Sequence, residues 1–201
     1  KIMPAVQAKI KNITGQVYSY PDSAVMHQGK IIINEHFLDS LKDSTFLFII
    51  GRIELCEQVN TELLDTKIKE ISLIGKAIIK EEYSSIINQK LASSTACKIE
   101  LIPAGYTYIS REMTLDSLNV SRFSGKSIFC PSGIIISPDI KPEALKKHIK
   151  ALQSRTGIIC HDDMAEAVFA LCPDPLTRIL SYRNRLVCID QEYLLSREEL
   201  E

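Results

Sequence analysis

Cys160-His161-Asp162 is the tightest grouping of reactive side-chain types in the chain. A thiolate nucleophile needs a base within hydrogen-bond reach and a third group that orients the base. Consecutive residues meet that geometry poorly, because neighbouring side chains on a strand point to opposite faces. The same tripeptide also reads as a strand end followed by a cap: Cys160 closes a buried strand, and His161 or Asp162 accepts from the first N–H groups of the next helix. Capping is the reading adopted, and a hydrolase or transferase using Cys160 with a histidine, most simply His161, stands as its alternative. Metal chemistry would have to draw on His27, His36, His148 and His161. None has a Cys or His neighbour at the spacing that marks zinc sites. No catalytic set, metal or cofactor is therefore expected.

Arg178, Tyr182, Arg183 and Arg185 form the one local basic and aromatic group, and Tyr106 and Tyr108 alternate on a second segment. Arg and Tyr are favoured where proteins meet partners, and alternating tyrosines share one face of a strand. These six are the candidate binding residues, with Phe123 as a further anchor. Gly29 to Val59 reads as a strand at Lys30 to Asn34, a polar turn, and an apolar helix from Ser44 to Val59. That helix would carry Arg52-Ile53-Glu54-Leu55-Cys56-Glu57. In this order the stretch resembles the site of HExxH zinc peptidases, whose two His at i and i+4 share a helical face beside a Glu base. If Glu54 is the base, Ile53 and Glu57 stand at the ligand positions, so no zinc site forms. Asp162-Asp163-Met164-Ala165-Glu166 is loosely similar to the acidic third-ligand helix of that family. The resemblance implies a catalytically dead relative.

The charge balance gives no reason to expect a polyanion or a membrane surface as partner. The 201 residues carry a formal net charge of −1, with 45% hydrophobic and 24% charged residues, which is ordinary for a globular domain. Nucleic acid is not expected as a partner, since polyanion binding rests on clustered cations. No apolar run approaches the roughly 20 residues that span a bilayer, so membrane insertion is not expected, and no signal peptide is visible. Six cysteines are widely spaced inside apolar stretches, without a CxxC pair, the pattern of buried thiols in a reducing compartment. The expected location is the cytoplasm.

The elements that would position these residues read as one α+β domain over residues 1–201, a mostly antiparallel sheet of short strands flanked by helices, with any subdivision falling near 93–96. Gln16 to Tyr20 predicts a short strand. A long helix is predicted from about Thr61 to Leu91, because Leu64, Ile68, Ile71, Ile74 and Ile78 fall at helical spacing. Residues 97–110 and 127–137 read as hairpins around Pro103-Ala104-Gly105 and Pro131-Ser132. Ser124-Gly125-Lys126-Ser127 lacks the upstream glycine of a phosphate loop and precedes a strand. A helix from Pro142, a strand at Gly157 to Cys160, a helix from Asp162 to Leu171, a strand at Leu186 to Ile189 and a final helix capped by Asp190 complete the reading. Ile31 to Glu35, Ile134 to Pro138 and Leu186 to Asp190 share a pattern: a β-branched run, a capping residue, then a helix. It is read as common turn grammar rather than duplication. The function expected is that of a non-catalytic cytoplasmic adaptor or subunit of a hetero-oligomeric assembly, working by binding protein partners.

Overall fold

A computed structural model describes residues 20–92, 96–184 and 186. The chain divides into two compact units, Lys1–Leu101 and Ile102–Glu201. The first is a ladder of coils, each a strand followed by a short helix. Strand β1 (Val25–Ile32) leads to helix α1 (Glu35–Ser40), β2 (Thr45–Leu55) to α2 (Thr61–Lys67), β3 (Ile68–Lys80) to a 3₁₀ turn (Glu81–Tyr83) and α3 (Ser84–Lys90), and β4 (Ala96–Ile102) follows. The strands stack in chain order, β1-β2-β3-β4.

The second unit winds on the same principle with two strands per coil. Its elements are β5 (Tyr106–Tyr108), β6 (Met113–Leu115), a 3₁₀ turn (Val120–Phe123), β7 (Lys126–Phe129), β8 (Ile134–Ile136), α4 (Pro142–His148), β9 (Ile149–Gln153), β10 (Ile158–His161), a 3₁₀ turn (Asp162–Met164), α5 (Ala165–Leu171) and β11 (Ile179–Tyr182). One sheet runs β5-β7-β9 and the other β11-β10-β8-β6.

Every strand pairing is parallel, which corrects the mostly antiparallel sheet expected from sequence. The expected hairpins are absent: β4 and β5 lie in different sheets, and so do β7 and β8. A Pro-Gly turn between two apolar runs looks the same whether the chain reverses or merely turns a corner into another sheet. The helix expected from Ser44 to Val59 is strand β2 over most of its length, and the helix expected from Thr61 to Leu91 is broken by the 13-residue strand β3. Without a helix at 45–55, the resemblance to HExxH peptidases loses the element it rests on. The strand at Gln16 to Tyr20 and the elements at Val187 to Glu201 fall outside the described residues, apart from Tyr20.

Period-2 burial explains the strands. In β2 the inward side chains are Leu47, Ile49, Ile53 and Leu55, and in β3 they are Ile71, Leu73, Ala77 and Ile79, all members of one core with Leu38 and Leu64 from the helices. Isoleucine lies just where the helical spacing was read, and its β-branching favours the pleated surface. Helices of six or seven residues are too short to stand alone. Each is fastened instead, for instance by Asn34 accepting from Phe37 N at 2.9 Å and Asn60 accepting from Glu62 N at 2.8 Å. The Tyr83 hydroxyl, buried, accepts from Val59 N at 3.0 Å and ties the 3₁₀ turn back to the preceding coil.

Glycine makes the corner in three coils of the first unit. Gly29, Gly51 and Gly75 are register partners. Gly51 and Gly75 stand at φ +141° and +139°, and a Cβ there would sit 2.2 Å from the Gly29 carbonyl oxygen and 1.9 Å from that of Gly51. Only a residue without a side chain lets one coil stack on the next. Successive partners such as Val25, Leu47 and Ile71, or Met113, Ile134, Ile158 and Ile179, stand 21 to 24 residues apart. That spacing is the unit of a stacked-coil architecture. The recurring pattern at Ile31 and Ile134 therefore marks the end of a coil strand. The core of the second unit is built from the inward residues Leu115, Ile128, Ile134, Ile136, Leu152, Ile158 and Cys160 with Leu145, Met164 and Val168.

Candidate partner-binding surface

The outward sheet face of the second unit is built from one residue per coil. Register places Thr114, Ile135, Ile159 and Leu180 in one row across β6, β8, β10 and β11. Leu180 is 38% exposed, and Ile135 and Ile159 are half-buried, although they point away from the core. The next outward row pairs His161 with Tyr182, whose rings meet edge to face at 5.5 Å.

His161 sits where strand passes into helix and caps the 3₁₀ turn, as the sequence suggested. Its Nε2–H donates to the Arg183 carbonyl at 2.7 Å, leaving Nδ1 to accept from Asp163 N at 3.4 Å in the neutral ring. On protonation, Nδ1 faces Asp163 Oδ2 at 3.2 Å. Arg183 donates from Nε to Asp162 Oδ2 at 2.9 Å. The Ser181 hydroxyl, and secondly the Arg183 guanidinium, hold the Asp162 carboxyl below the ordinary carboxylate range. Of the residues singled out from sequence, Tyr182 and Arg183 thus come together with His161 and Asp162. Arg178 stands exposed just before β11, its carbonyl accepting from Ile158 N at 2.8 Å. Tyr106 and Tyr108 lie half-buried on β5, in the other sheet, where Tyr108 packs on Phe129 with centroids 6.2 Å apart and Arg155 lies over the Phe129 ring. Burial, and after it the nearby Cys172 and Asp174, raises the Tyr106 phenol. Phe123 packs against the core. Arg185 falls outside the described residues.

Cys160 and His161 do not form a nucleophile–base pair. Cys160 is fully buried on the inward face, His161 points outward, and the histidine's hydrogen bonds go to backbone groups and toward Asp163. Desolvation, and after it the Asp162 charge, pushes the Cys160 thiol up to about 11. Cys56 and Cys172 are likewise pushed to about 11, each mainly by burial. A thiol whose folded pKa exceeds its unfolded value keeps its proton in the native chain while the unfolded chain releases it. Stability then falls as pH rises from about 9 to about 11. A thermal scan series across that window should show the melting temperature dropping, and Cys160→Ser should flatten part of the slope.

Compared with protein-family models, curated proteins and solved structures, the chain matches none. Among the described residues, no group of three or more His, Cys, Asp or Glu side chains could hold a metal ion, and no helix is long and apolar enough to cross a membrane.

The sequence reading missed the outward rows. In the first unit, Lys30, Arg52 and Lys76 stack in register directly after the glycine corner. Glu54, 7% exposed, takes Lys30 at 2.7 Å and also pairs with Arg52, while Glu100, 8% exposed, takes Lys76 at 2.5 Å. The signal was present as Gly29-Lys30, Gly51-Arg52 and Gly75-Lys76, and again as Gly133-Ile134-Ile135 and Gly157-Ile158-Ile159. Each is one turn of the ladder written in sequence.

Proposed function

We propose that the chain is a non-catalytic adaptor or subunit of a hetero-oligomeric assembly in the cytoplasm, acting by binding a protein partner. The observation that carries this reading is the outward row Ile135, Ile159 and Leu180 with Tyr182 and Arg183 beside it. Stacked coils present one such residue per turn on a continuous, rigid face, the geometry by which repeat architectures engage extended partner surfaces. Apolar and aromatic side chains on such a face gain from being covered, and Tyr and Arg are frequent binding hot spots. The five described cysteines are all free thiols, which fits a reducing compartment.

The test is affinity capture of the intact chain from its native cell extract, with mass analysis of what co-purifies in stoichiometric amount. Tyr182→Ala combined with Arg183→Glu should cut retention of that partner about tenfold or more, as removing two hot-spot residues does, with an unchanged circular dichroism spectrum. A chain recovered alone, or a partner retained equally by the double variant, would count against the proposal.

A further inference from the structure

Where the second unit turns its glycine corner, the outward face carries a small groove of about 170 Å³. Its floor is bare backbone. Met113 N donates to the Gly133 carbonyl, Ile134 N to that of Gly157 and Ile158 N to that of Arg178, so the two glycines lie side by side in the ladder. One wall is the apolar row Ile135, Ile159 and Leu180, and Ser132 and Thr156 also line the groove, with the Ser132 hydroxyl donating to the Ser110 carbonyl at 3.2 Å. Thr156 Oγ1 and Glu112 Oε2 converge over Gly133, 3.2 and 3.4 Å from where a Cβ on that residue would be. Glu112 is exposed and takes part in none of the ion pairs among the described residues.

A carboxylate beside a small groove with an apolar wall matches one kind of side chain. Lysine and arginine carry a cation on a methylene stem that packs along apolar surface. The groove is well below the roughly 300–1,000 Å³ of pockets that bury drug-sized ligands, so it suits a single side chain. Arg178 flanks Gly157 on the far side, and its charge repels a cation from that end, which leaves the Glu112 end as the place for one. We infer that this groove receives one lysine or arginine side chain of a protein partner, with the stem along Ile135, Ile159 and Leu180 and the cation on Glu112. The inference rests on the partner-binding reading above and adds the chemistry of what that partner presents.

Titration of the isotope-labelled full chain with acetyl-Leu-Arg-Leu-amide tests it. Saturable shifts are expected at the Gly133 and Gly157 amides. Replacing the arginine by citrulline, which keeps the shape and removes the charge, should weaken binding about tenfold, the scale of a charge-assisted hydrogen bond. Glu112→Gln should weaken the arginine peptide by a similar factor and leave the citrulline peptide unchanged, a contrast that a misfolded variant would not give. Equal affinity for both peptides, undiminished arginine binding by Glu112→Gln, or shifts that bypass both glycines would overturn the inference. If a partner is captured from extract and Glu112→Gln changes neither capture nor titration, the pocket fails while the partner-binding reading stands. Failed capture beside a normal titration counts against the reading and for the pocket.

Discussion

Gly75→Ala is expected to unfold the first unit or leave it barely stable. The new Cβ would lie 1.9 Å from the Gly51 carbonyl oxygen, and the backbone at φ +139° is one that L side chains rarely adopt. Backbone strain of about 1–3 kcal/mol then adds to overpacking of about 1–3 kcal/mol against a backbone atom that cannot swing aside. The combined loss, roughly 2–6 kcal/mol, is a large share of the 5–15 kcal/mol typical of a whole domain. Gly51→Ala should cost nearly as much, since its Cβ meets the Gly29 carbonyl oxygen at 2.2 Å. Gly29→Ala meets nothing within 4 Å at φ +106° and should show the backbone strain alone. Urea midpoints followed by far-ultraviolet circular dichroism would rank the three. A Gly75→Ala chain with the parent's midpoint would mean that the coils do not stack at this corner.

Ile49→Ala and Ile50→Ala should differ sharply although the residues are adjacent. Ile49 is fully buried on the inward face of β2, and Ile50 is 41% exposed on the outward face. Truncating a buried isoleucine costs about 2–5 kcal/mol through lost transfer energy and the cavity left behind. Substitutions away from such features stay within about 0.5 kcal/mol, and Ile50, partly exposed, should come close to that. A helix over the same residues would place the two side chains only about 100° apart and blur the contrast. Equal destabilisation by both substitutions would contradict the alternating face.

The same two residues show how much was legible from sequence. The run Thr45 to Ile50 is apolar at every position from Phe46 onward, and such a run satisfies a buried helix and a strand equally. Its period-2 inner face is visible only after Gly51 is recognised as a corner. Capping fared better, because it depends on the nearest three residues: His161 does cap the turn that follows it, and Pro142 opens a helix.

What the sequence by itself determined is local. It set the β-branched strand segments near Ile31, Ile134 and Ile158, the short helices after them, the widely spaced free thiols and the tyrosine and arginine side chains near Leu180. What only the tertiary structure decided is how those segments pair. Parallel or antiparallel pairing, the separation of β7 from β8 into different sheets, and the rows that join Ile135 to Leu180 depend on contacts between residues 21 to 24 positions apart. Hydrophobic pattern specifies which face of a strand is buried, but not which strand lies beside it. Where Gly51 and Gly75 stand, absence of a side chain permits the stacking by letting one carbonyl approach the next coil.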